Sequence, residues 1–204
     1  MPYNPDIHHR RSIRLKNYDY TRAGLYFVTI CTQNRECLFG EIVEAGSKPA
    51  QTGSNKITLN PLGIIIQKTW FDLIHHNKNI KLHDFIVMPN HVHGIIEITP
   101  SDRNWAGLEP APTSTKLTEI IRQFKTFSAK RVNQWRKTVG VPVWQRNYHE
   151  HIIRHEATYL KIAEYIQTNP QKWLDDRYYQ VINHSLDSQN YPLDSQVHTL
   201  PPPQ

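Results

Sequence analysis

Residues 88–98, MPNHVHGIIEI, hold His91 and His93 one residue apart in a run rich in Val, Ile and Gly. In an extended chain, side chains at i and i+2 leave on the same face. The two imidazoles then share a face with Ile95 and Glu97, while Val92, Ile96 and Ile98 line the other. Either the outer face of a half-buried strand happens to carry two histidines, or the pair offers two nitrogen donors to one divalent cation. Spacing alone does not separate these readings. His149 and His151, in HEH, repeat the spacing and open the same choice.

A second set of reactive groups lies in HEATYLKIAEYIQTNP, residues 155–170. Tyr159, Ile162, Ala163 and Ile166 form an apolar stripe at helical spacing. Tyr165 falls about 100° of arc from the centre of that stripe, at the edge of the packed face. Asn169 follows one turn later on the same surface. Taken singly, Tyr165 is ordinary amphipathic packing and Asn169 a helix-terminal residue before Pro170. Taken with the histidines, two imidazoles and a carboxamide oxygen suffice for one cation with positions left for a phosphate oxygen. A tyrosine beside it could attack the phosphorus and form a phosphotyrosine link. Phenolate leaves more readily than alkoxide, so a DNA 3′-OH can reverse that link without ATP. A phenol with its pKa near 10 needs the charge stabilisation a metal supplies. The strand face that bears His91 and His93 is expected to be open to the substrate.

The rest of the chain must position these groups. LYFVTICTQ (25–33) reads as a buried strand, and residues 37–59 as a hairpin, CLFGEIV and KITL around a Gly/Ser/Pro-rich loop. Asn60-Pro61 starts a helix whose Ile66, Trp70, Leu73 and Ile74 share one side. HNKNIK breaks it before a second strand, HDFIVM, a turn, MPN, and a third strand, HVHGIIEI. Residues 100–114 read as an exposed loop. TKLTEIIRQFKTFSAKRVNQW is an amphipathic helix with Leu117, Ile120, Ile121, Phe124 and Phe127 inward, and Arg122, Lys125, Lys130 and Arg131 as solvated surface. VPVWQRNYHEHIIR (141–154) reads as a fourth strand before the tyrosine helix. Without the early hairpin the order is β-α-β-β-α-β-α. This predicts an α+β, ferredoxin-like split βαβ fold, an antiparallel sheet with helices on one face plus a C-terminal catalytic helix. The histidine strand is expected at the centre of the sheet.

Of 204 residues, 24 are Lys or Arg and 18 Asp or Glu, a balance that favours a polyanionic partner. Cys31 and Cys37, the only cysteines, cannot build a disulfide framework or zinc knuckle. The polar, basic amino terminus and the lack of a long apolar run suggest a soluble intracellular protein with no membrane partner. Residues 1–20 read as a basic arm, 21–182 as one catalytic domain carrying the 100–114 insertion, and 183–204 as a tail expected to be mobile.

HVH matches the HUH motif (His, bulky apolar, His) of single-tyrosine transposases, and EYIQTNP matches their tyrosine helix. RSIRL, FVTICT, LFGEIV, MPNHVHGII, LTEIIRQFK, VWQRNYHEHIIR and YIQTNP occur in order from about Arg11 to about Trp173. By this series the chain resembles the REP-associated tyrosine transposases, which act on palindromic repeats. The resemblance implies His91 and His93 as metal ligands, Tyr165 as nucleophile and Mg²⁺ or Mn²⁺ as cofactor; by softness the imidazoles would also accept Zn²⁺ or Ni²⁺. It places Asn169 where relatives have a third ligand, often the longer Gln. It implies single-stranded or hairpin DNA as partner and either a monomer or a homodimer. For DNA contact, Arg10, Arg11, Arg14 and Lys16, interleaved with Tyr18 and Tyr20, suit phosphates and bases. Gln145, Arg146 and Arg154 flank the fourth strand, and His151 is read as contacting DNA or supporting the site rather than as a metal ligand. Two other classes stay open: a hairpin-binding protein that no longer moves DNA, and a metallo-hydrolase in which water replaces tyrosine.

Overall fold

A computed structural model describes residues 23–43, 55–100 and 116–179. The expected basic arm, the 100–114 loop beyond its first residue, and the 183–204 tail lie outside the described residues.

Four strands make the main sheet: β1 (Gly24–Cys31), β4 (Ile80–Val87), β5 (His91–Ile98) and β6 (His149–Ile153). They lie in the order β4-β5-β1-β6, every neighbouring pair antiparallel. β2 (Gly40–Val43) and β3 (Lys56–Leu59) form the separate hairpin that the sequence predicts. The strand order is that of a ferredoxin-like sheet, and the histidine strand is central. Its neighbours are β1, from 60–74 residues earlier, and β4, across the short MPN turn, so its backbone polar groups are paired on both edges.

Each face of β5 meets a different layer. Val92, Ile96 and Ile98 join Tyr26, Val28 and Ile30 against helix α1 (Pro61–Phe71) and helix α2 (Leu117–Trp135). Gly94 is required in this face. A Cβ there would lie 2.4 Å from Trp70 Cζ2, so only glycine lets that indole lie against the strand, stacked on Phe85 at 4.4 Å. On the opposite face Ile95 packs with Ile153, Phe27 and Ile86 beneath helix α3 (Glu156–Thr168), which contributes Ile166, Ile162 and Tyr159. The tyrosine helix therefore covers the face that bears the histidines.

Local signals explain most boundaries. Asn60 caps α1, its Oδ1 accepting from the Gly63 N–H at 3.0 Å, with Pro61 at the first turn. The helix stops at Phe71, and a separate turn, Leu73–His76, leaves Ile74 exposed rather than on the packed side. β4 begins at Ile80, three residues before the expected strand, because Ile80, Lys81 and Leu82 pair with Ile98, Glu97 and Ile96 across a bulge. In α2, Ser128 and Val132 are buried and Phe127 only partly so. Ser128 fits because its hydroxyl donates to the Phe124 carbonyl at 2.6 Å and accepts from the Trp144 indole at 2.8 Å.

The fourth strand is shorter than the expected 141–154. Before it, residues 145–147 turn their carbonyls to Lys125, which is not solvated surface. Its ammonium donates to the carbonyls of Gln145, Arg146 and Asn147 at 2.9, 3.2 and 3.0 Å, acceptors a strand would give to its neighbour. Burial pulls its pKa down to about 8. Arg131 is likewise engaged, with Thr69 and Asp72. After α3 the chain continues through a 3-10 turn, Asn169–Asp175. Among the described residues no helix is long and apolar enough to cross a membrane.

Candidate metal and tyrosine site

The histidine face is not open. His91 is 0% and His93 1% exposed, closed over by α3, the 3-10 turn and the aromatic rings of Trp173 and Tyr178. Two buried imidazoles must have every nitrogen accounted for. Asn90 fixes the first. Its Nδ2 donates to the carbonyls of Arg35 at 3.1 Å and Tyr178 at 2.8 Å, so its Oδ1 is left as the acceptor, 2.8 Å from His91 Nδ1. His91 therefore carries its proton on Nδ1 and keeps a lone pair on Nε2. His93 Nδ1 lies 2.8 Å from Thr29 Oγ1, a hydroxyl that can accept or donate. The two Nε2 atoms converge to 3.0 Å.

Electrostatics keep the pair neutral. Burial lowers the pKa of His91 to about 4, with Arg177 and Arg35 adding to the effect and Asp176 opposing it. Burial lowers His93 well below the ordinary histidine value, helped by His91. At neutral pH each imidazole is therefore uncharged and keeps one unprotonated nitrogen, Nε2 in His91, while the Thr29 hydroxyl is compatible with either tautomer of His93.

Asp176 supplies the anionic partner. A ligand atom from each of His91, His93 and Asp176 lies within 4.8 Å of the others, a group able to hold a metal ion. The carboxylate is oriented by the Tyr178 N–H at 2.7 Å and by Asn169 Nδ2 at 3.1 Å. That second bond turns the Asn169 carboxamide so that its Oδ1 is buried with no partner among the described residues. Two neutral imidazoles and a carboxylate, the latter held by a carboxamide whose own oxygen is buried and orphaned, fit a divalent cation.

Tyr165 reaches this group from α3. Its hydroxyl is 3.2 Å from His93 Nε2, its ring meets the His93 ring at 5.1 Å, and it stands edge-on to Phe27 at 6.2 Å. At 36% exposure it is the member of the set that solvent reaches most easily. Burial and the Asp176 charge push its pKa up to about 12, with the Asn169 side chain pulling the other way. The bare phenol is therefore ionised in only about one molecule in 10⁵ at pH 7.

The structure thus gathers His91, His93, Tyr165 and Asn169. Asp176, Asn90 and Thr29 escape a sequence reading. Asn90 was part of a turn, and Asp176 stands in LDD with no periodicity to single it out. Strand register places His149 opposite Thr29 and His151 opposite Phe27, both on the site face but exposed at the sheet edge. His149, in the row of His93, is the nearer of the two. Gln145 and Arg146 lie on the loop tied to the Cys31 carbonyl, across β1 from His91. Arg154 follows Ile153, which pairs with Leu25 at the far end of the sheet, and is not brought to the site. Arg10, Arg11, Arg14 and Lys16 fall outside the described residues.

No protein-family model matches the chain. A Haemophilus influenzae protein of uncharacterised function is 42% identical over 188 residues, covering 87% of this chain and 97% of its own length. A second H. influenzae protein, named as a REP-associated tyrosine transposase, is 26% identical over 163 residues, 78% of this chain and 77% of its own. A solved structure of a REP-associated tyrosine transposase bound to a REP hairpin covers 91% of this chain and 99% of its own, at 15% identity and a TM-score of 0.48. The chain is thus similar along most of its length to a protein named as a REP-associated tyrosine transposase.

Proposed function

We propose that this protein nicks and rejoins single-stranded DNA at or near palindromic hairpin repeats through a 5′-phosphotyrosine at Tyr165, in a metal-dependent reaction. The observation that carries the reading is the Tyr165 hydroxyl 3.2 Å from His93 Nε2, the atom that converges with His91 Nε2. His91, His93 and Asp176 would hold the ion, Mg²⁺ or Mn²⁺, with Asn169 Oδ1 as a further oxygen donor. When bound, it would supply positive charge to a non-bridging phosphate oxygen and favour the ionised phenol.

The chain's own residues do the rest. Asn90 and Thr29 hold the two imidazoles with Nε2 inward. Asn169 and the Tyr178 N–H aim Asp176. Phe27 stands edge-on to the Tyr165 ring and limits its rotation. In the cleavage step the Tyr165 oxygen loses its proton and bonds to phosphorus. The P–O3′ bond breaks, and the departing 3′-oxygen takes up a proton. Rejoining is the reverse, with a 3′-OH displacing the phenolate.

Labelled hairpin DNA incubated with the protein and Mn²⁺ should give a band of covalently joined protein and DNA that survives denaturation. Tyr165→Phe removes one oxygen and keeps the ring, so the band should vanish while DNA affinity holds. Tyr159→Phe is the control, because that hydroxyl faces His83 and Asp84, at 3.3 Å from each, and not the site. An adduct surviving Tyr165→Phe would make another residue the nucleophile. Nicking without any adduct would make water the nucleophile. Binding without either would leave a hairpin-binding protein.

A further inference from the structure

Two arginines that the metal and tyrosine chemistry does not use stand one ring away from the imidazoles. The Arg35 and Arg177 guanidinium carbons lie 5.5 and 4.6 Å from the centre of the Tyr178 ring. That ring is itself 4.7 Å from His91 and 6.1 Å from His93. Arg177 donates to the Tyr178 hydroxyl, and Arg35 reaches the Arg177 carbonyl at 3.5 Å. Among the described residues neither guanidinium forms an ion pair with a carboxylate. The nearby Asp176 oxygens are already engaged by Asn169 and the Tyr178 N–H. Arg177 is exposed and Arg35 half-buried, so both keep donors free for a ligand.

The backbone that carries them is built, not incidental. Asn34 and Arg35 both take left-handed φ, 55° and 58°, a conformation that non-glycine residues keep only where their surroundings over-determine it. Here Arg35 N–H donates to the Thr32 carbonyl at 3.1 Å, and the Thr32 hydroxyl to the Glu36 carbonyl at 2.8 Å. Asn90 holds the carbonyls of both Arg35 and Tyr178 while it accepts from His91. One carboxamide therefore fixes both arginine-bearing segments relative to a metal ligand. Two unneutralised forks in fixed register beside a site for a phosphodiester are the arrangement for phosphate recognition.

We infer that Arg35 and Arg177, braced on Tyr178 and tethered through Asn90, form a clamp for backbone phosphates of the DNA strand that enters the Tyr165 site. The assignment rests on the reading of that site as a DNA strand-transfer centre and adds where the strand is gripped. It also separates from the chemistry, because a clamp works without metal and without the nucleophile.

The test is the salt dependence of binding of a single-stranded oligonucleotide, in EDTA, on the Tyr165→Phe background. Arg35→Gln with Arg177→Gln should reduce the slope of log K against log salt by about 1.4, two contacts at roughly 0.7 each for single strands. Arg35→Lys with Arg177→Lys keeps the charges and should keep most of the slope. Arg122→Gln, on the exposed outer side of α2, should leave it unchanged. Thermal melting of each variant identifies one that merely loosens the Tyr178 packing, since that loss appears in the Lys pair as well. A wild-type slope in the Gln pair overturns the clamp, as does absence of metal-free binding by the parent. Failure of the tyrosine reading would appear elsewhere, as loss of the covalent adduct in the unmodified protein.

Discussion

His91-Val92-His93 and His149-Glu150-His151 have the same spacing and point to the same face of the same sheet, yet only the first pair is enclosed. β5 is central, so its histidines lie beneath α3 and the turn that follows it. β6 is an edge strand, and both its histidines are exposed. The first pair has a fixed partner on each Nδ1, Asn90 and Thr29, and the Nε2 atoms are turned toward one another. Among the described residues no side-chain hydrogen bond orients the second pair comparably. Two imidazoles on one strand face converge when something else orients their rings and removes their water.

That difference predicts opposite outcomes for equivalent substitutions. His91→Ala or His93→Ala should abolish adduct formation. Because both side chains are fully buried, each variant should also lose about 2–4 kcal/mol of stability, from the space left and from the polar partners left unpaired. Denaturant unfolding beside the adduct assay measures both. An active, undiminished His93→Ala protein would hand the metal role to the exposed pair.

Asn90→Ala comes next. It leaves both imidazoles in place and removes what selects the His91 tautomer, so metal affinity should fall about 10- to 100-fold with the ligands intact. Titration calorimetry with Mn²⁺ would show it. Unchanged affinity would mean that the Asn90 bond is only structural.

Acid should act through the first pair. The folded-state pKa of His91 lies near 4 and that of His93 well below its ordinary value of 6.5. Below pH 6.5 the unfolded chain takes up protons that the folded chain refuses, which favours unfolding. The metal-free protein should keep its full stability above about pH 6.5 and lose it progressively as pH falls toward 4. Urea midpoints across that window test this, and replacing both buried histidines by Gln should flatten the dependence. His149→Ala and His151→Ala should produce the smallest effect, within about 0.5 kcal/mol, as expected of exposed positions.

How far this was legible in the sequence follows the range of each interaction. The β5 boundaries, the Asn60 cap and the Tyr165 stripe offset are local patterns of period 2 or 3.6, and they hold in the structure. The strand order followed from counting elements. Asp176 and Asn90 were not legible, because their roles arise from contacts with residues up to 88 positions away, such as Asn90 with Tyr178. Lys125 illustrates the opposite hazard. On a helical wheel it is a charge on the outer face, and only the returning 145–147 segment converts it into a half-buried anchor. The burial of His91 and His93 also depends on α3 crossing the far face of the sheet, a choice that strand alternation alone does not make.

Metal binding by the two histidine pairs tests the central claim without any reliance on turnover. Equilibrium dialysis against Mn²⁺, with the unmodified protein, a His91→Gln/His93→Gln variant and a His149→Gln/His151→Gln variant, gives the ion bound per chain. One ion is expected in the unmodified protein and in the second variant, and none in the first. Retention of the ion by His91→Gln/His93→Gln, with loss in His149→Gln/His151→Gln, would contradict the account.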